Sequence, residues 1–405
     1  MAAPSSGDVA SPWSSLPMDL VRLVGWRVLA GDLLDYVRFR AACTHWRSST
    51  VCPLGRGITD PRFHPHRWMM LPDGHGVHPA HGKKRFFNLS TGAFARVGHP
   101  FLSGLCQVLD SVDGLLLLQR PYNPTVWLLH PFTGDAVNFP PLVPLLESHW
   151  DMGQNRSAEL NFVASFSISA DGTVTAMIVH QYIMHVFFAT TKDQEWSISE
   201  WCLPPLSAPI SFQGKLYILE PLVAHSTEQH ILRLDPPCYE HDVVVPSFMP
   251  PKRIATCPTG IISCLLAECD SEILLVGYDD TLLPTSKLVV YRLADLSMGK
   301  AAPITSIGGN TLFLDIKMSV YITYIGKCMT SSSRAMPIIA NNTIICNHYG
   351  YPWQYDLGTG IWSQIMGECV DQGQGGTRGC NCNLIHHIYQ SCHCKYRPVG
   401  DWLMI

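Results

Sequence analysis

Short apolar runs alternate with glycine-rich or polar turns through most of the chain from Trp68 onward. The run Gly114–Gln119, for example, is followed by a second apolar run that ends in the turn Thr133-Gly134. Apolar runs of about four to eight residues between turn residues indicate β-strands, and their succession in pairs indicates antiparallel hairpins. Six such strand pairs lie between Trp68 and Met366, at about 50 residues for each unit.

This period is close to that of Kelch repeats. Repeated antiparallel units are most simply closed into a ring, because a ring leaves only short strand edges exposed. The sequence therefore predicts a mainly β fold, a β-propeller of about six Kelch-like blades. The alternative is a β-sandwich with irregular repeats. The first strands of successive units start at irregular intervals, which predicts loops of variable length between them.

Two sets of apolar residues at helical spacing precede the β-region. They are Leu20, Leu23, Val24 and Val28, and then Leu33, Val37 and Ala41. Pro17 suits the first position of a helix, and Gly31-Asp32 separates the first helix from the second. A module this small buries too little apolar surface to be stable by itself, so its apolar face predicts a partner. The alternative is a helical pair that caps the β-domain and binds nothing.

The helical segment resembles an F-box. The resemblance is carried by an ordered set of residues: Leu16-Pro17, Asp19-Leu20, Asp32, Arg38-Phe39-Arg40, Cys43 and Trp46-Arg47. It implies a three-helix module that binds the Skp-type adaptor of a cullin–RING (SCF-type) ubiquitin ligase. The residues that would support adaptor binding are Leu16, Pro17, Leu20, Leu33 and Trp46. Trp26 departs from the family pattern, since a bulky aromatic side chain is not expected at that place.

Several phrases of the β-region resemble the KIB-type β-propeller carried by plant F-box proteins, a family of unknown function expanded in grasses. The phrases are RFFNLSTGAF, SVDGLLLL, VWLLHPFTGDAVNFPPL, PISFQGKLYILE and PWQYDLGTG. The resemblance extends over roughly Trp68 to Trp362, and the sum of the phrases carries it. It implies a propeller that recognises the substrate of a ubiquitin ligase, and it supplies no catalytic residues.

These patterns divide the chain into four parts. We predict a helical F-box module over 12–50, a linker over 51–67, a β-propeller over 68–366, and a tail rich in Gly, Cys and His over 367–405. The linker carries Pro53, Pro61 and Pro65, which restrict its backbone, so it is predicted to be semi-rigid.

Composition limits the classes of partner and the cellular compartment that we expect for this protein. Charged residues make up only 15% of the chain and the net charge is −4, so neither nucleic acid nor a membrane is expected as a partner. Met1 to Ser15 lacks the apolar core of a signal peptide. The fifteen cysteines are an odd number and are mostly dispersed, which is typical of reduced thiols. We therefore expect a cytoplasmic or nuclear protein.

Two clusters of residues in the sequence are of the types that bind metal ions. Cys380, Cys382, Cys392 and Cys394, with nearby histidines, could hold a structural zinc ion, but their C-x-C spacing differs from that of common zinc knuckles. Unliganded cysteines are the preferred interpretation. The second cluster is His64, His66, His75, His78 and His81, in a segment rich in Pro and Gly, where a metal site is the less favoured interpretation. We predict no metal site and no cofactor.

The sequence favours a non-catalytic role. The α/β-hydrolase nucleophile motif G-x-S-x-G and the zinc-protease motif H-E-x-x-H are both absent from the sequence. The leading hypothesis is a substrate-recognition adapter, which binds the Skp-type adaptor and cullin core through the F-box and an unidentified protein target through the propeller. Two alternatives stay open: a propeller binding module that acts outside a ligase, and a propeller that binds a small ligand or carbohydrate.

Overall fold

The structure of the protein is a computed structural model. The description covers residues 12–71, 83–102, 107–120, 123–142, 162–180, 183–204, 208–220, 228–238, 248–261, 263–278, 287–314, 316–319, 322–325, 329–332, 341–348 and 351–365. In these ranges, none of the helices has both the length and the apolar character required to cross a bilayer.

Three helices open the described chain: α1 (Met18–Gly31), α2 (Leu33–Ala42) and α3 (Thr44–Ser49). The predicted break at Gly31-Asp32 is confirmed, because Asp32 has an extended backbone and caps α2 by accepting a hydrogen bond from the Asp35 N–H at 3.1 Å. A 3-10 turn, Pro12–Ser15, precedes α1, and another, Pro61–Phe63, lies in the linker.

Strands from Trp68 to Gln364 form six blades, so the prediction of a mainly β propeller is confirmed and the sandwich alternative is wrong. Blade 1 is β1 (Trp68–Met70), β2 (Lys84–Asn88) and β3 (Phe94–Val97). Blade 2 is β4 (Gln107–Val112), β5 (Leu115–Arg120), β6 (Asn123–Leu129) and β7 (Ala136–Pro141). Blade 3 is β8 (Phe162–Ile168), β9 (Val174–His180), β10 (Ile183–Thr190) and β11 (Ser197–Ile198).

The remaining blades follow in chain order. Blade 4 is β12 (Ala208–Phe212), β13 (Lys215–Leu219), β14 (His230–Leu234) and β15 (Lys252–Thr256). Blade 5 is β16 (Ser263–Cys269), β17 (Glu272–Tyr278) and β18 (Leu288–Arg292), followed by a short helix, α4 (Leu293–Ser297). Blade 6 contains β19 (Asn310–Leu314), β22 (Met329–Ser332), β23 (Thr343–His348), β24 (Tyr351–Asp356) and β25 (Ile361–Gln364), with a separate hairpin of β20 (Ile316–Ser319) and β21 (Ile322–Ile325).

Blade 6 differs from the antiparallel meander of the other blades. Its sheet order is β22-β19-β23-β24-β25, and β19 pairs with β23 in parallel, with Leu312 opposite Ile344. Because the two strands are parallel, the chain that joins them, which includes β20, β21 and β22, returns to the end of the blade where β19 begins. None of the six predicted strand pairs includes β19.

Apolar side chains between neighbouring blades form the core. Leu117 and Leu128 of blade 2 pack with Ala176 and Phe187 of blade 3, and equivalent clusters join blades 1 and 2, 3 and 4, 4 and 5, and 5 and 6. Strands buried on both faces lose the alternation of polar and apolar residues, which explains the continuous apolar runs in the sequence.

The two faces of the ring are built differently. We call near face the face that carries the turns between the first and second strands of blades 2 to 5, such as Asp113-Gly114 and Gln213-Gly214. Both residues of each of these two turns have positive φ, which suits a two-residue hairpin. In the same four blades, the second strands end and the third strands begin at the opposite face, the far face.

Candidate functional site

The first helix presents an apolar face to solvent. Twelve large apolar side chains are exposed among the described residues, and six of them lie between Trp13 and Val37. On α1, Leu20 is 48% exposed and Leu23 66% exposed, whereas Val21 and Leu29 on the other side of the same helix are buried. Exposed apolar patches on folded domains are often interaction surfaces, so this face of α1 is the candidate binding surface.

The structure places the five predicted adaptor-binding residues in different environments. Pro17 and Leu20 are exposed, and Leu16 and Trp46 are half-buried. Trp46 donates from Nε1 to the Trp13 carbonyl oxygen at 3.0 Å, so its ring holds the start of the module in place. Leu33 is only 4% exposed and packs in the core of the module. Any support that Leu33 gives to adaptor binding therefore comes from inside the module, and its role in such binding stays a prediction.

The helical module is joined to blade 1 through one buried carboxylate. Asp32 Oδ2 accepts hydrogen bonds from Trp68 Nε1 at 2.6 Å and from Asn88 Nδ2 at 2.7 Å, while Oδ1 caps α2. All three residues are buried. Hydrogen bonds to a charged acceptor are stronger than those between neutral groups, so this joint fixes the angle between helices and propeller. The sequence suggested Asp32 as a helix break but gave no sign of its two distant partners.

An aromatic cluster supports the same joint from the side of the linker. The ring of Trp26 stacks on Tyr36 with centroids 6.4 Å apart and also packs against Phe63, and the Arg62 guanidinium lies 4.5 Å from its centroid. The Tyr36 hydroxyl donates to the Val51 carbonyl oxygen at 2.7 Å. The departure of Trp26 from the F-box pattern thus has a structural explanation: it attaches α1 to this chain's own linker.

The linker follows the near face and is held there by polar contacts. The backbone N–H groups of Gly55 and Gly57 donate to the two carboxylate oxygens of Asp135, at 2.9 and 2.7 Å. His130 Nε2 donates to the Phe63 carbonyl oxygen at 2.9 Å. Farther along, Arg67 forms an ion pair at 3.0 Å with Asp270 of blade 5. These contacts to two blades hold the linker against the propeller.

Two histidines at the contact of linker and propeller, His64 and His130, are arranged for the neutral form. Burial lowers the pKa of His64 and of His130. Nδ1 of His130 accepts from the backbone N–H groups of Phe132 and Thr133, and protonation would remove that acceptor. His66 behaves oppositely: burial acts to lower its pKa, but the Asp113 carboxylate, 3.6 Å from Nδ1, raises the pKa overall.

We predict that mild acid weakens the attachment of the linker. The folded-state pKa values of His64 and His130 lie below their ordinary value of 6.5, so their stabilising contribution is present above that pH and is lost as the pH falls below it. His66 opposes this change. The thermal unfolding midpoint should fall between about pH 7.5 and about pH 5.5, and the fall should be larger in His66→Gln. A midpoint that is constant over this range would contradict the prediction.

Metal binding finds no support in the described part of the chain, which contains no group of three potential ligands. His64 is buried and donates from Nε2 to the Ile58 carbonyl oxygen at 2.9 Å. The other members of the histidine cluster, His75, His78 and His81, lie outside the described residues. So do Cys380, Cys382, Cys392 and Cys394, and the hypothesis of a zinc site there is untested.

Comparison with known proteins gives one family match. The sequence model of the family described as KIB1-4 beta-propeller matches residues 86–330, more than half of the chain. No curated protein matches.

Solved structures that are similar to this chain include those of three different proteins. The GH74 enzyme of Niastella koreensis is 8% identical, with a TM-score of 0.27, 74% of this chain covered and 38% of that chain. Hydrazine synthase of Kuenenia stuttgartiensis is 12% identical, with a TM-score of 0.25 and coverages of 75% and 95%. The exo-beta-1,3-galactanase of Phanerochaete chrysosporium is 8% identical, with a TM-score of 0.26 and coverages of 75% and 67%. Likenesses this weak carry no argument about function.

Proposed function

Because this chain belongs to the KIB1-4 beta-propeller family, we propose that it is a substrate-recognition adapter of an SCF-type ubiquitin ligase. In this proposal the helical module binds a Skp-type adaptor of the cullin–RING core, and the propeller binds a protein target. The observation that carries the proposal is the exposed apolar face of α1, held at a fixed place on a propeller. The order of F-box-like residues from Leu16 to Arg47 supports a Skp-type adaptor as the partner for that face.

The proposed mechanism is proximity, and the chain performs no chemistry itself. An adapter raises the effective concentration of the target near the transferred ubiquitin, and a stiff connection between the two binding surfaces restricts the target to fewer orientations. The Asp32 joint and the linker contacts to Asp135 provide such stiffness. The proposed site of action is the cytoplasm or the nucleus.

The far face of the propeller is the proposed surface for the target. The helical module and the linker contact the near face, through turn residues such as Asp113, Asp135 and Asp270. In blades 2 to 5, the connections between second and third strands start at the far face. Loops carried by a rigid scaffold are where binding specificity usually lies. The two proposed partners would therefore occupy opposite sides of the ring.

We predict that the double variant Leu20→Asp/Leu23→Asp loses adaptor binding. Both side chains are exposed, so charges at these places should not disturb the core. Burying each leucine at an interface is worth about 1.5–3 kcal/mol, so the affinity for a purified Skp-type adaptor should fall at least about 100-fold. Isothermal titration with the full chain measures this change.

The matched control is Met298→Asp, which changes an apolar side chain that is 61% exposed on blade 5. It should bind the adaptor like the unaltered chain. Leu33→Asp is unsuitable as a test, because a charge in the buried core would unfold the module. Undiminished binding by the double variant would refute the α1 face as the adaptor surface, whereas no adaptor binding by the unaltered chain would refute the ligase proposal and favour a propeller that acts outside a ligase.

A further inference from the structure

An exposed cysteine and a histidine lie side by side on the rim of blade 3. Cys202 follows β11, the outermost strand of the blade, and His185 lies near the start of β10. The Cys202 Sγ atom is 3.5 Å from His185 Nε2, within hydrogen-bonding distance for sulfur. The strand directions put the pair at the far face, away from the helical module. The peptide N–H of Leu203 donates to the Met184 carbonyl oxygen at 2.6 Å, which keeps the two segments together.

The tautomer of His185 follows from its other nitrogen. Nδ1 lies 2.9 Å from the Ser199 carbonyl oxygen, which can only accept a hydrogen bond. Nδ1 of the neutral ring therefore carries the proton, and Nε2 presents its lone pair to the Cys202 thiol. A nucleophile, a base within reach and a third group that orients the base form the arrangement that activates thiols in proteins.

The other described cysteines lack this arrangement. Cys257, Cys264, Cys269 and Cys346 are buried, and burial raises the pKa of Cys269 to about 12. Cys43 is half-buried, and Cys52 and Cys238 are exposed like Cys202, but within the described residues none of these three thiols has a hydrogen bond to a histidine. The chain thus provides two internal references for an ordinary exposed thiol.

We propose that Cys202 is a nucleophilic thiol that is modified by small electrophiles, with peroxide as the substrate class. His185 Nε2 takes the thiol proton, and the thiolate sulfur attacks one oxygen of hydrogen peroxide. The O–O bond breaks as the S–O bond forms, and the departing hydroxide takes the proton from His185 and leaves as water. The sulfur is oxidised to a sulfenic acid and the peroxide is reduced. This inference goes beyond the ligase proposal and does not rest on it.

The test compares three thiols in one molecule. The full chain is treated with hydrogen peroxide and a dimedone-type probe for sulfenic acid, and the labelling of Cys52, Cys202 and Cys238 is followed by mass spectrometry. Cys202 should be labelled at least about tenfold faster than the two references. Equal rates for the three cysteines would overturn the proposal, whatever any variant shows.

A variant tests the role assigned to the imidazole. In His185→Gln the labelling rate of Cys202 should fall to the level of Cys52 and Cys238, whose rates should not change and so report that the fold is intact. Alkylation by iodoacetamide, which needs the thiolate but no protonated leaving oxygen, should slow in the same variant. A Cys202 rate that is unchanged in His185→Gln would overturn the assignment of His185 as the base.

Discussion

Asp32→Ala is expected to lower the free energy of unfolding by about 3–7 kcal/mol, because it removes three hydrogen bonds at one buried point. Without the carboxylate, Trp68 Nε1–H and Asn88 Nδ2–H are left in the interior with no acceptor, and α2 loses its cap. Each unsatisfied buried donor costs about 1–3 kcal/mol, and the lost cap about 1 kcal/mol. Urea unfolding followed by tryptophan fluorescence measures the loss, since Trp68 lies in the joint.

Two further variants separate the joint from general effects of substitution. Asp32→Asn keeps one acceptor oxygen and should lose roughly half as much stability as the alanine variant. Asp35→Ala, three residues away on the same helix, removes a carboxylate that pairs with Arg38 in solvent and should cost less than about 1 kcal/mol. The joint has no special role if Asp32→Ala unfolds at the same urea concentration as Asp35→Ala.

Gly114→Ala is expected to cost about 3 kcal/mol, because the turn of blade 2 lies directly beneath the linker. Gly114 has a φ of +81°, a backbone conformation that costs an L-residue about 1–2 kcal/mol. A Cβ atom there would also lie well under 3.0 Å from the Pro65 carbonyl oxygen, and that backbone atom cannot move without displacing the linker. The crowding adds about 1–3 kcal/mol.

Gly260→Ala carries the cost of a positive φ without the crowding, so comparison with it isolates the crowding at Gly114. Gly260 has nearly the same φ, +85°, but an added Cβ would meet no atom within 4 Å. Its substitution should cost only about 1 kcal/mol. The difference between the two thermal unfolding midpoints therefore measures the contact of linker and blade, and equal midpoints would show that the linker yields without cost.

The sequence predicted those strands whose burial produces a recognisable hydrophobic pattern. The six predicted strand pairs correspond to β1 with β2, β5 with β6, β9 with β10, β13 with β14, β17 with β18 and β23 with β24. These strands are buried by neighbouring blades, so they read as continuous apolar runs. Outer strands such as β3 and β25 have mostly exposed or half-buried residues, and no apolar run marks them. The parallel pairing of β19 depends on a chain reversal that local periodicity does not record.

The candidate site was predictable only in part, for a related reason. The resemblance to an F-box put forward both Leu20 and Leu33, and neither that resemblance nor helical spacing tells a buried leucine from an exposed one. The partners of Asp32 are 36 and 56 residues away in the chain. His185 and Cys202 are 17 residues apart and meet only because β10 and β11 pair in one register. Contacts of this kind require the three-dimensional fold.

Because the helical module is attached at the near face, Asp32 is the pivot for any rotation of the propeller relative to that module. A strand such as β9, Val174–His180, rises about 3.3 Å per residue, so the far face lies about 20 Å from the near face. A rotation of about 10° at the pivot would then displace a molecule held on the far face by about 3–4 Å. Small angular changes where Trp68 and Asn88 meet Asp32 are therefore amplified at the far side of the ring, although no residue there has changed.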